Sequence, residues 1–216
     1  MSQNINYTDA ISSLLNIGSA TIYEAMGRQG AIDCGLKPIH PDMRVAGPAF
    51  TVDTCPADNL MLHYALLHVK PGDVLVVDAK SFIGAGPWGD VLTEQAIKKG
   101  VAGLIINGAV RDANEISKLN FPVFCLGLCI KGTTKNQPGL LNTTLHFGNV
   151  TIHSGDYIIA DQDGVVVVPQ AKLDEAVKNS LEREQQESVY REKIRNGENT
   201  VDLLGLRSTL NHLNLN

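Results

Sequence analysis

At 216 residues, with 44% hydrophobic and 19% charged side chains, the chain can bury a full core in one α/β domain spanning 1–216, and it has no run of about 20 apolar residues such as a bilayer span needs. A net charge of -5, scattered Lys and Arg, and only 5% aromatics remove both the basic footprint and the stacking surfaces of a nucleic-acid binder. The opening MSQNINYTDAISS has no basic region followed by an apolar core, so a cytoplasmic, non-exported protein is expected.

Apolar positions at helical spacing in SATIYEAMG, 19–27, predict an amphipathic helix, and RVAGPAFTVD, 44–53, predicts the first strand. From Asp58 to Val69 apolar residues recur at three and four, which predicts a second helix ended by the Pro71-Gly72 turn. DVLVVDA, 73–79, reads as a strand, SFIGAGPWG as a Gly-rich loop, DVLTEQAIKKG as a helix closed by Lys98, Lys99 and Gly100, and VAGLIING as a buried strand. Such spacing implies a parallel crossover. RDANEISKL reads as a short helix, FPVFCLGL as another strand, and 147–168 as β structure joined by tight turns. Gln162-Asp163-Gly164 before VVVVP predicts a hairpin in which Asp-Gly supplies positive φ angles, and Pro169 stops the strand. Lys172 to Asn196 predicts a charge-dense helix lying on the domain. The closing VDLLGL is too apolar for a free tail, so 172–216 is also a candidate oligomer contact.

Ligands of α/β sheets collect at the carboxyl ends of the strands, which directs attention to the loops after DVLVVDA and GLIING. The first, Gly84-Ala85-Gly86-Pro87-Trp88-Gly89-Asp90, leads straight into a helix. Its glycines let a ligand approach the backbone, and the N–H groups of Gly89, Asp90, Val91 and Leu92 form a site suited to a carboxylate. In the plainer reading Asp90 only caps its helix and the glycines only make the turn. Neither GxxxxGK[ST] nor dinucleotide glycine spacing is present. The second loop, Asn107-Gly108-Ala109-Val110, delivers Arg111 and Asp112 side by side. These are either a surface Arg with a helix-opening Asp, or a fixed cation for a carbonyl or enolate oxygen beside hard oxygen ligands for Mg²⁺ or Mn²⁺. Cys34, Cys55, Cys125 and Cys129 show no CxxC spacing and read as reduced core or near-core thiols. Cys125 and Cys129 lack the second Cys/His pair that a zinc finger or ribbon requires.

Asp90, twenty residues, Arg111-Asp112, two residues and Glu115 together form a pattern that resembles the RraA-like family, which includes the 4-hydroxy-4-methyl-2-oxoglutarate and 4-carboxy-4-hydroxy-2-oxoadipate aldolases. The likeness runs from GPAFTV through PADNLMLH, KPGDVLVVDA, GPWGDVLTEQA, GVAGLIINGAVRD and CIKGTTK to DQDGVVVVP. The resemblance implies a swivelling β/β/α domain, with a central sheet flanked by helices and a C-terminal helix, assembled as a trimer or pair of trimers. It implies a class II, divalent-metal-dependent pyruvate aldolase that also decarboxylates oxaloacetate. In that scheme Gly89, Asp90, Val91 and Leu92 hold the pyruvate carboxylate, Arg111 its 2-oxo oxygen and Asp112 the Mg²⁺ or Mn²⁺, while Asp90 orients metal-bound water. Glu187 or Glu192 of a neighbouring subunit would complete the site. Asn107 departs from the DGxVRD of many aldolases, a change expected to alter loop hydrogen bonding more than catalysis. It leaves open a non-catalytic relative that binds a ribonuclease or another protein.

Cleaving a 4-hydroxy-2-oxo acid leaves a pyruvate enolate, so the barrier is set by charge on the 2-oxo oxygen, and decarboxylating oxaloacetate yields the same enolate. Lys80 and Lys131 are the nearest lysines for a competing Schiff-base route, which needs a neutral amine. His63, His68 and His153 are candidate bases, though single histidines are more often packed or exposed than catalytic.

Overall fold

The computed structural model describes residues 7–32 and 35–215, so the thiol expected at Cys34 lies outside the described residues. The chain begins with α1 (Tyr7–Ile17), α2 (Ser19–Ala25), the short β1 (Lys37–Pro38) and the long β2 (Val45–Asp53). Alternation follows through α3 (Leu60–Ala65), β3 (Val74–Phe82), α4 (Asp90–Lys98), β4 (Gly103–Val110), α5 (Ala113–Lys118) and β5 (Val123–Leu128). Short strands come next: β6 (Leu140–Leu141), β7 (Leu145–Phe147), β8 (Val150–Ile152), β9 (Tyr157–Ala160) and β10 (Val165–Val168). A 3-10 turn opens α6 (Leu173–Arg195), and α7 (Thr200–Leu203) and α8 (Arg207–His212) close the described chain.

Strands β2, β3, β4 and β5 pair in parallel, as the crossover spacing predicted, and stand in that order, with α3, α4 and α5 connecting them. β2 serves two partners in succession. Its first half, Val45–Pro48, pairs antiparallel with β9, whereas Ala49–Asp53 pair with β3. That shared strand curls the sheet into a second layer built with β10.

Every residue of β4 is buried, because a central parallel strand is covered on both faces and needs no polar alternation. Leu104 and Ile106 join Leu75, Val77 and Val123 beneath α3–α5, while Ile105 joins Val74, Val76 and Phe124 against Phe147, Ile158 and Val165. The outer face of β9 and β10 meets Leu14, Ile22, Leu173 and Val177 from α1, α2 and α6. Helices thus cover both outer faces of the curled sheet.

Three details differ from the sequence reading. No helix was expected over 7–17, where α1 packs against α2 and α6 through Ala10 and Leu14. β3 runs on to Phe82, into the expected loop. The hairpin between β9 and β10 forms, but neither Asp163 nor Gly164 has positive φ. Its tip is Gln162-Asp163, held because the Asp161 carboxylate accepts the Asp163 N–H at 3.0 Å and the Ser19 hydroxyl at 2.6 Å, so a side-chain turn replaces the Asp-Gly mechanism.

With Ile106 fully buried between strands and helices, Ile106→Ala is expected to cost about 2–5 kcal/mol, read as a lower urea midpoint at unchanged m-value.

Candidate active site

At the end of β3, Lys80 and Ser81 lie in the left-handed region with φ of 60 and 55, and the register slips so that Asp78 faces Asn107 while Phe82 faces Gly108. The turn then enters α4 around a fully buried Trp88. Its indole Nε1–H donates to Thr93 Oγ1 at 2.8 Å, the Thr93 hydroxyl donates to the Gly89 carbonyl at 3.0 Å, and the ring stacks on Phe121 at 6.2 Å. Trp88 thereby fixes both the turn and the first residue of α4.

The two loops singled out in the sequence meet. The Arg111 N–H donates to the Trp88 carbonyl at 2.9 Å. A Cβ on Gly89 would fall inside the Asp112 carboxylate and 3.1 Å from Arg111 Nε, and one on Gly86 would lie 2.5 Å from the Cys129 carbonyl. These glycines serve the approach of chain to chain.

Asp112 occupies the N-cap position of α5, yet its side chain makes no cap bond. Its backbone is left-handed, φ 57 and ψ 33, which costs a non-glycine residue about 1–2 kcal/mol. The carboxylate turns instead to the other loop, with Oδ2 3.4 Å from both Arg111 Nε and the Asp90 N–H, and the side chain is 36% exposed. A hard oxygen pair is left open beside a guanidinium that is 44% exposed. Gly89, not Asp90, is the N-cap of α4, and Asp90 Oδ1 accepts the adjacent Val91 N–H at 2.7 Å. The side chain of Leu92 is buried, so only its backbone faces the turn, whereas Val91 is 74% exposed.

Arg111, Asp112 and Glu115 line a groove of about 360 Å³ with Leu128, Cys129 and Ile130. Glu115 pairs with Lys118 at 2.7 Å. Among the described residues no three His, Cys, Asp or Glu side chains converge on a point that could hold a metal. A cation at Asp112 would therefore have one carboxylate from this chain and take its other ligands from water and substrate, a donor set that Mg²⁺ accepts.

Lys80 is no neutral amine. Burial pulls its pKa down, but hydrogen bonds to Asp53 and Asp78 outweigh that and hold it above the ordinary lysine value. Lys131 is exposed, with its carbonyl accepting the Gly86 N–H at 2.9 Å. Burial, then the charge of Lys135, push the His63 pKa down, while His68 packs edge-on to Tyr64 and His153 bonds Thr144. Cys55, Cys125 and Cys129 are free thiols, and burial pushes Cys125 up to about 11. Glu187 and Glu192 sit on α6 beyond the first turns that pack over β9 and β10, and Glu187 pairs with Arg183 at 2.9 Å. Within one protomer the fold does not bring them to the groove.

Sequence reasoning missed a polar row across three strand ends, where Asp53, Asp78 and Asn107 are register partners. Each ends an apolar strand run at the same offset, which was the available signal. Asn107 is 6% exposed, donates Nδ2–H to Asp78 Oδ1 at 3.0 Å and accepts the Ser81 hydroxyl at 3.0 Å. It belongs to the strand-end network.

Two outcomes are expected. Gly89→Ala is expected to displace the Asp112 carboxylate in a protein that still folds, so that any Mn²⁺ held there would bind more weakly by electron paramagnetic resonance. Asn107→Asp replaces a donor with a second carboxylate against Asp78 and costs about 2 kcal/mol at pH 7. One carboxyl of that pair then has a raised folded-state pKa, so the penalty opens as pH rises above about 4 and closes below it, as pH-dependent urea melts would show.

A profile of the RraA-like family, described as Aldolase/RraA, matches residues 19–167. A Halalkalibacterium halodurans protein provisionally named a 4-hydroxy-4-methyl-2-oxoglutarate aldolase is 34% identical over 185 residues, 86% of this chain and 88% of its own. The structure of Streptomyces coelicolor RraAS2, an unusual member of the RNase ES inhibitor RraA family, superposes with a TM-score of 0.74 at 31% identity, covering 86% of this chain and 98% of that one. The RNA-processing inhibitor RraA from Thermus thermophilis gives 0.64 at 25% identity, over 70% and 92%. With the profile spanning more than half of its length, this chain belongs to the RraA-like family.

Proposed function

We propose that the chain is a divalent-metal-dependent lyase that cleaves a 4-hydroxy-2-oxo acid to pyruvate and a second 2-oxo acid, and decarboxylates oxaloacetate to pyruvate. The observation that carries this reading is the Asp112 carboxylate, at a helix start it does not cap, held open beside Arg111. Asp112 would hold Mg²⁺ or Mn²⁺, which when bound acts as a Lewis acid toward the 2-oxo oxygen. Arg111 sets a permanent cation and directional N–H donors beside the same oxygen, where negative charge builds as the bond to the departing carbon breaks. Main-chain amides at the start of α4 would orient the substrate carboxylate, those of Asp90 and Val91 exchanging their contacts to the Asp112 and Asp90 carboxylates for it. The 4-hydroxyl proton goes to a carboxylate in or over the groove. The aldolase name of the Halalkalibacterium halodurans relative supports the reading.

The groove is lined by exposed apolar side chains, Leu128 at 64% and Ile130 at 94%. The buried residues of α6 all fall within 173–180, so the rest of the helix, with Leu181, Val189 and Ile194, carries further exposed apolar surface. A trimer or a pair of trimers would cover such surfaces and bring Glu187 or Glu192 to a neighbour's groove. The same apolar lining favours a second reading, a regulator that docks on a ribonuclease or other protein, as the names of the two RraA structures suggest.

Oxaloacetate turnover with Mg²⁺ or Mn²⁺, lost on adding a chelator and restored by excess metal, is expected. Arg111→Ala should lower kcat by about 10²–10³-fold. Absence of turnover with either metal and several 4-hydroxy-2-oxo acids would leave the regulator reading, in which Arg111→Ala still captures the partner.

A further inference from the structure

Arg111, although its side chain is 44% exposed, lies against two segments that come from different strands. The turn 84–89 follows β3, and the segment 129–137 follows β5. The Cys129 N–H donates to the Val110 carbonyl and the Gly86 N–H to the Lys131 carbonyl, both at 2.9 Å. A Cβ on Gly86 would lie 3.0 Å from Arg111 Cβ, and one on Gly132 would lie 3.9 Å from Arg111 Nη1. The position of the guanidinium therefore depends on how these segments sit against each other.

A single dipeptide ahead of α3 grips both. Asp58, 1% exposed, accepts through Oδ2 from the Thr134 hydroxyl at 2.6 Å and from the N–H groups of Asn136 and Gln137 at 2.9 and 3.2 Å, and through Oδ1 from the Leu60 N–H at 2.9 Å. Asn59, 7% exposed, donates Nδ2–H to the Pro87 carbonyl at 2.9 Å, while its N–H donates to the Thr134 carbonyl at 3.0 Å. The preceding Ala57 is left-handed, with φ 55, a strain that persists only where surrounding contacts over-determine the backbone. Starting α3 requires one carboxylate oxygen, and the bond to Leu60 uses it. The other oxygen serves the distant segment alone. Burial pushes the Asp58 carboxyl up, yet its four donors outweigh that and hold it below the usual range, so it stays an anion without a paired cation.

We propose that Asp58 and Asn59 are positioning residues for Arg111, Asp58 fixing 129–137 and Asn59 fixing 84–89 so that the guanidinium is held between them. This rests on the lyase reading for its catalytic consequence, and the test separates the two. In the full-length, Mn²⁺-loaded protein, Asp58→Asn should lower kcat for oxaloacetate by about tenfold or more with KM little changed, because the arginine acts on charge that develops during reaction. Hydrogen exchange should speed up at 84–89 as well as at 130–137, although Asp58 touches only the latter. Thr134→Val, which removes one donor and keeps the fold, should give the same pattern more weakly and decides the matter if Asp58→Asn does not fold. Unchanged kcat, or faster exchange confined to 130–137, overturns the proposal. If wild-type protein turns over no substrate, the lyase reading falls while exchange at 84–89 still decides whether the clamp exists.

Discussion

The constraint on which the rest of the site depends is the approach of two strand-end turns so close that no side chain fits at position 89. A methyl group there would overlap the Asp112 carboxylate. Two adjacent parallel strands can bring their loops together only where both loops leave on the same side, and β3 and β4 do so because their crossovers, α4 and α5, lie over one face of the sheet. The contact is then fixed from both directions. Trp88 anchors the first turn through Thr93 and Phe121, and its carbonyl receives the Arg111 amide from the second. A left-handed backbone at Asp112 follows from the same closeness, since it turns the carboxylate away from α5 and toward the facing turn.

That arrangement accounts for a local rule being broken. An acidic residue at a helix start ordinarily caps the first free amides, a contact worth about 1 kcal/mol. Asp112 forgoes the cap and accepts an uncommon backbone angle, while the carboxylate stands a third exposed and 3.4 Å from a guanidinium. At that distance and exposure the ion pair contributes little stability. Losses of this kind gather at functional sites, where strain is tolerated because the surrounding packing is strong. Here the packing is the fully buried β4 and the apolar layers on both of its faces.

Much of this was legible in the sequence because the relevant signals are short-range. Alternation of apolar runs with helical spacing indicated a parallel crossover, though not the strand order, and glycines followed by an acid marked the turn before α4. Local patterns did not reveal which group each polar side chain faces. Asp163-Gly164 looked like the engine of a hairpin, yet the turn is made by Asp161, whose carboxylate also reaches Ser19 across 142 positions. α1 went unread because its buried side is completed only by α2, α6 and β9. The glycines read either as room for a ligand or as formers of the turn, and Gly86 and Gly89 also make room for Cys129, Arg111 and Asp112. Asp58 was read only as the start of a helix, since the partners of its second carboxylate oxygen lie 76 to 79 residues away.

Family membership alone does not choose between chemistry and regulation, since one scaffold hosts both kinds of protein and function resides in the site. What weighs here is the relation between two kinds of surface. A docking face needs apolar area and shape, which Leu128, Ile130 and Val91 supply. It gains nothing from a strained aspartate turned from its helix. Under the lyase reading that feature would serve a small anionic ligand and a cation met at fixed positions, because charge stabilisation demands a tolerance of an ångström or less and hydrophobic contact does not. The apolar rim is compatible with the same chemistry, since a second copy seated on it would exclude water from the groove and strengthen the field of Arg111 on the ligand.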